Sequence, residues 1–130
     1  MTPVAVAGLY IGINLLILLV LAWNVISGRR ASKVGFGDGG DESLARRIRV
    51  HANATEWVPG MLIGLLTLAL LDANIYVLHA LGIALTLARV LHAFGLTGSS
   101  GVSVGRFGGA LISLLVYLAG GIAILWYALT

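Results

Sequence analysis

Two guanidinium groups, an amide and a carboxylate recur at helical spacing in this chain, as Arg46, Arg49, Asn53 and Glu56. At 100° per residue their directions are about 0°, −60°, −20° and −80°, so all four share an arc of roughly 80°. Arg47 and His51 point elsewhere, at about +100° and +140° on the same wheel. Such a face suits an anionic, amide-rich ligand. Guanidinium meets carboxylate, carboxylate meets an amine, and the amide both donates and accepts. Simpler uses exist for the same groups: Arg46 and Arg47 can meet lipid phosphates, and Glu56 can pair with Arg49 seven residues back. Asn53 and Glu56 lie deepest, beside an apolar run, where polar groups are costly unless satisfied.

A second set lies further along. Arg89 and His92 stand at i and i+3, on one face near the end of an apolar segment. Arg89 can partner Glu56, from the facing helix or from another subunit, and His92 suits a hydrogen-bonded interfacial place. Gly105-Arg106 opens the last apolar segment at the same membrane face. These positions together predict a cationic pocket with one carboxylate, bordered by lipid. His51 and His79 earn no role, and no spacing suggests a metal site. No Ser-His-Asp or phosphate-loop pattern is present. The chain has no cysteine, so any thiol chemistry uses a thiol brought by a ligand.

The elements that position these groups follow from composition. The chain has 130 residues, 59% hydrophobic and 10% charged, with a mean hydropathy of +1.02. A soluble domain carries about 25% charged residues, so this chain cannot cover a water-facing surface. A spanning helix needs about 20 mainly apolar residues. Four stretches qualify, over about 4–26, 44–71, 75–95 and 107–129, within one membrane domain over 1–130. The net charge of +3 is a topology signal rather than a nucleic-acid footprint. Arg29, Arg30, Lys33, Arg46, Arg47, Arg49 and Arg106 flank loops one and three. The turn Asp72-Ala73-Asn74 has no basic residue. The positive-inside rule therefore predicts loops one and three in the cytoplasm and both termini outside.

The stretch Ser43–Leu71 is about 29 residues, or roughly 43 Å of helix, which exceeds the hydrocarbon core of about 30 Å. Its polar half, entered near Ser43, should project into the cytoplasmic headgroups. Pro59, where the polar and apolar parts meet, should kink it and free a carbonyl near Thr55. Asn74 or Asp72 should cap the third helix. Gly8 with Gly12, Gly60 with Gly64, and the glycines of the fourth segment suit close helix packing. Asn14, in mid-membrane, needs a partner on another helix or subunit.

The run RRIRVHANATEWVPG, read as RxRxHxNxxExxP, resembles the second-helix signature of the MAPEG family, the membrane-associated proteins in eicosanoid and glutathione metabolism. ARVLHAFG and the single Arg106 also fit, and the resemblance, closest to the bacterial branch, covers most of the chain. It implies an all-α four-transmembrane-helix bundle that assembles as a homotrimer in the bacterial inner membrane. It further implies glutathione as co-substrate, bound between subunits near the cytoplasmic face, and a lipophilic electrophile. Arg49, Asn53, Glu56, Arg89 and His92 would bind the thiol ligand, and Arg106 would activate the thiol. Two departures argue against eicosanoid synthesis. Late tyrosines of the third helix are matched by His92 and Leu96, and a further second-helix arginine by Ala52.

The residues fit conjugation, peroxide reduction and isomerisation equally. Two rival classes share the architecture. A small four-helix transporter would carry an acid in its first helix, and none is present there. A non-catalytic membrane scaffold would bind glutathione without turnover.

Overall fold

Thr2 opens the first helix. Its hydroxyl accepts from the Ala5 amide at 3.2 Å, and Pro3 takes the first helical position, where a missing N–H is no loss. The computed structural model describes residues 1–98 and 104–130, with side chains given except at 96–98 and Arg106. The elements are α1 (Pro3–Ser32), α2 (Glu42–Leu70), α3 (Ile75–Gly98) and α4 (Val104–Leu129). No strand occurs among the described residues.

Several boundaries differ from expectation: α3 runs to Gly98 rather than 95, and α4 starts at Val104 rather than 107. α1 runs to Ser32, past the predicted end near Ile26, and carries Arg29 and Arg30 in its last turn. The negative end of the helix dipole favours cations there. Lys33, at φ 53°, stops the helix in the left-handed region. α2 starts at Glu42 rather than near Ser43, because Asp41 is the cap. One Asp41 oxygen accepts from the Ser43 and Leu44 amides at 2.9 and 3.2 Å. The other accepts from the Ser32 hydroxyl at 2.6 Å, which ties the end of α1 to the start of α2. The Ser32 hydroxyl first, and then the Leu44 amide, hold the Asp41 carboxyl below its ordinary pKa. At the other end Asn74, not Asp72, caps α3: its side-chain oxygen accepts from the Tyr76 amide at 2.9 Å.

α2 and α3 form the middle of the bundle. α1 packs on both, α4 packs on both, and α1 and α4 make no contact among the described residues. The core follows helical periodicity. α3 contributes Leu78, Leu81, Leu85 and Ala88, and α2 contributes Val58, Met61, Leu65 and Leu68. Tyr10 of α1 lies so close to Gly82 that a side chain there would meet its ring. Asn14 is fully buried and donates to the Tyr10 carbonyl at 2.9 Å and the Thr86 hydroxyl at 3.0 Å. Of its two offered uses, the structure shows the helix–helix contact within the chain.

Large apolar residues stay outside: Leu16, Leu19, Val20 and Trp23 on α1, and Leu114, Leu118, Ile122 and Leu125 on α4. Water would disfavour that surface, whereas lipid accepts it. Among the described residues, α1, α3 and α4 are each long and apolar enough to cross a membrane. α2 is not, because half of its length is the polar stripe. Its apolar half completes the bundle by packing between the others.

Candidate functional site

The polar half of α2 presents its stripe as the wheel predicts. Arg49 Nη1 lies 3.3 Å from Glu56 Oε1, and both side chains are about half exposed, at 58% and 52%. The pair spans two helical turns along one face. Arg46 pairs with Glu42 at 3.6 Å. Exposed pairs of this kind are worth only about 0–1 kcal/mol, so a ligand carboxylate or amine can replace either partner at little expense. Arg47 leaves the stripe and donates to the Asn24 carbonyl of α1 at 3.4 Å. Gly28 gives it room, since a side chain there would meet Arg47 at 3.3 Å.

Beneath the stripe lies Arg89, 3% exposed. Its Nη1 donates to Asn53 Oδ1 at 2.9 Å. Its Nη2 donates to the Gly109 carbonyl at 3.3 Å and to the Ser113 hydroxyl. Ser113 in turn donates to the Gly109 carbonyl at 2.7 Å. One guanidinium thus joins α2, α3 and α4. Its Nε has no hydrogen-bond partner among the described residues, and it makes no ion pair there. A buried cation held only by neutral acceptors keeps its charge uncompensated.

Glycine makes this junction possible. At Gly109 a Cβ would stand 2.6 Å from the Ala88 carbonyl and 2.7 Å from His92 Cβ. α4 therefore lies with its backbone directly on α3. His92, 6% exposed, forms part of this buried wall. One turn beyond Ser113, the Tyr117 hydroxyl donates to the Trp57 carbonyl. The two rings meet edge to face at 5.3 Å. α2 continues through Pro59 as one helix, and the carbonyl that receives the α4 donor is that of Trp57, not the one near Thr55 expected to be freed by the proline.

The structure brings Arg49, Asn53, Glu56, Arg89 and His92 into one region, with one change of partner. Arg89 meets Asn53, not Glu56, because Glu56 turns outward to Arg49. Ser113 and Tyr117 were not anticipated. Their signal was present, since Gly109, Ser113 and Tyr117 repeat every four residues on α4 and so share one face. Arg106 stands in the first turn of α4, and its side chain lies outside the described residues, as do those of Leu96, Ser100 and Ser103. No group of three His, Asp or Glu side chains among the described residues could hold a metal ion.

The MAPEG family matches this chain over residues 7–126. Inner membrane protein YecN of Escherichia coli K12 is 32% identical to it over 90 residues, 69% of each chain. The same protein from an O6:H1 strain matches to the same extent. No solved structure matches.

Proposed function

The chain belongs to the MAPEG family, and on that premise we propose that it is a glutathione-dependent transferase or peroxidase of the bacterial inner membrane. The carrying observation is Arg89, a buried guanidinium without a carboxylate partner among the described residues, bonded to Asn53 beneath the Arg49–Glu56 pair. That arrangement wants a negative charge and offers both signs to the ligand. Glutathione supplies two carboxylates, one amine and two peptide groups. In this reading Arg49 takes a ligand carboxylate and Glu56 the amine. Asn53, held in one orientation by Arg89, reads a peptide group. His92 closes the wall behind.

Arg106 then holds the ligand sulfur as thiolate. The thiol proton leaves to water, and the sulfur lone pair forms a bond to a lipophilic electrophile arriving from the membrane as the electrophile's bond to its leaving group breaks and that group departs with the electron pair. The subunits assemble as a homotrimer, as in the family, with the polar groups shared across subunit boundaries. Both termini lie outside, and the site opens to the cytoplasm. YecN, as an inner membrane protein, supports the location.

Titration calorimetry of the purified protein with glutathione tests the reading. Glu56→Ala and Asn53→Ala should each weaken binding, because losing a hydrogen-bonded partner of a charged group in a buried interface costs about 2–5 kcal/mol. Unchanged affinity in folded variants of both would refute the binding role. Binding without any turnover would make the protein a scaffold of the same fold.

A further inference from the structure

The thiol reading leaves one large feature of the surface unused. An apolar groove of about 460 Å³ runs between α1 and α3, lined by Ile13, Leu16, Ile17, Val20, Val90 and Phe94 among others. Its volume is in the range of about 300–1,000 Å³ typical of ligand sites. Along α1 it extends from Ile13 to Asn24. Eleven residues at about 1.5 Å each give roughly 16 Å, about half of a hydrocarbon core of about 30 Å. The groove is therefore about as long along α1 as one leaflet is thick.

At Asn24 the apolar lining ends and a second cavity of about 310 Å³ begins, walled by Asn24, Ser43, Arg46 and Arg47. Asn24 borders both cavities. The level of this junction is marked by Trp23, whose ring lies 5.8 Å from the Arg30 guanidinium. Tryptophan and arginine collect where headgroups begin. An apolar slot thus adjoins, across Asn24, a cavity walled by two guanidinium groups and a hydroxyl. Arg47 is fixed there by its bond to the Asn24 carbonyl. Arg46 pairs with the exposed carboxylate of Glu42.

We infer that this composite groove binds one anionic glycerophospholipid, its acyl chain between α1 and α3 and its phosphate at Arg46 and Arg47. The charge selects the headgroup, and the length of the groove selects a chain from the same leaflet. The occupant is a membrane lipid, not the thiol ligand, and the inference does not rest on the thiol reading.

Native mass spectrometry of the full chain released from nanodiscs tests it. The discs contain equal phosphatidylglycerol and phosphatidylcholine with matched acyl chains. Phosphatidylglycerol should remain as the favoured adduct and should raise the melting temperature. Each guanidinium beside an anionic headgroup contributes about 1 kcal/mol, about fivefold in affinity. Arg46→Gln with Arg47→Gln should therefore reduce the preference by about 25-fold. Val20→Trp or Leu16→Trp, at exposed positions, should fill the slot and remove the adduct while both arginines remain.

Equal retention of both lipids would overturn the inference, as would a preference that survives loss of both arginines. Phosphatidylglycerol retention unaffected by either tryptophan would mean headgroup attraction without a groove. Displacement of the lipid by millimolar glycerol phosphate would mean a site for a soluble anion. A tryptophan variant that changed the mass of the assembly but not its lipid preference would give the groove to a second copy of the chain. Each of these results rejects the lipid site. None bears on glutathione affinity, which is measured separately.

Discussion

A single guanidinium suffices for the chemistry proposed at Arg106. A thiol with a pKa of about 8.5 is only about 3% ionised at pH 7. Lowering that pKa by about two units makes the thiolate dominant and requires about 2.7 kcal/mol of preference for the charged form. A guanidinium about 4 Å away, at an effective dielectric of about 20, supplies roughly 4 kcal/mol before desolvation takes part of it back. No protein base is needed. Arg106→Ala should abolish the ultraviolet absorbance of the bound thiolate at neutral pH and leave glutathione affinity within a few fold. A variant that kept the low thiol pKa and full turnover would leave Arg106 as an interfacial anchor. Arg89 illustrates how residue-level reading succeeds and fails. Its type and depth marked it as part of a polar cluster, but its partner depended on which way Asn53 and Glu56 turned. Glu56 found Arg49 on its own helix, and Asn53 was left facing α3.

At the scale of elements, the α3–α4 contact holds the site. α4 lies on α3 through Gly109, and Arg89 bonds to the backbone exposed there. Gly109→Ala should push the helices apart, because its Cβ would meet backbone and not the flexible end of a side chain. Overpacking of this kind costs about 1–3 kcal/mol, and melting in detergent should show the loss. Gly108→Ala is the control. No described atom lies within 4 Å of a Cβ at Gly108, and alanine in a helix is favoured over glycine by roughly 0.5–1 kcal/mol. Its melting temperature should hold or rise. Equal effects from the two variants would mean that Gly109 is not a packing requirement. The length of α1 is a second lesson at this scale. The apolar run ends near Ile26, but Ser27–Ser32 holds no proline and its one glycine, Gly28, only weakens the helix, while the dipole welcomes Arg29 and Arg30. Hydropathy bounds the membrane segment, while the cap bounds the helix.

For the whole molecule, orientation and assembly remain as proposals with direct tests. Basic residues cluster at the end where α1 hands over to α2. The α2–α3 turn lies at the opposite end beside α4, where the Asn74 amide donates to Tyr127 at 3.1 Å. Cysteines introduced at Gly37 and Thr130 should thus label from opposite sides of the membrane. Labelling from one side would reject the orientation and move the site out of the cytoplasm. The homotrimer rests on the family and on surfaces that the single chain leaves uncovered. Gly8 and Gly12 meet no described atom within 4 Å, and α4 exposes its large apolar residues outward. Native mass spectrometry in mild detergent should give three copies. A stable dimer or monomer would contradict this.

The sequence by itself determined the class, the segments and the polar face. Composition excluded a soluble domain. Apolar runs of about twenty residues marked three helices, a shorter apolar run behind a polar preface marked the fourth, and the 100° step placed Arg46, Arg49, Asn53 and Glu56 on one side of α2. These features are local or additive, so they survive without knowledge of neighbours. Only the tertiary structure decided which groups meet. Asn53 with Arg89, Arg89 with Ser113, Tyr117 with Trp57 and Asn14 with Thr86 each join residues on different helices. The same holds for the groove between α1 and α3 and the cationic cavity beside it at Arg46 and Arg47. Its apolar walls look like ordinary membrane helix in each segment alone. They become a site only because α1 and α3 flank the same gap, and the spacing of those two helices is set by contacts such as that of Tyr10 on Gly82. Periodicity gives the direction of a side chain about its own axis. The distance between axes, and so the partner, is set by packing that one segment does not contain.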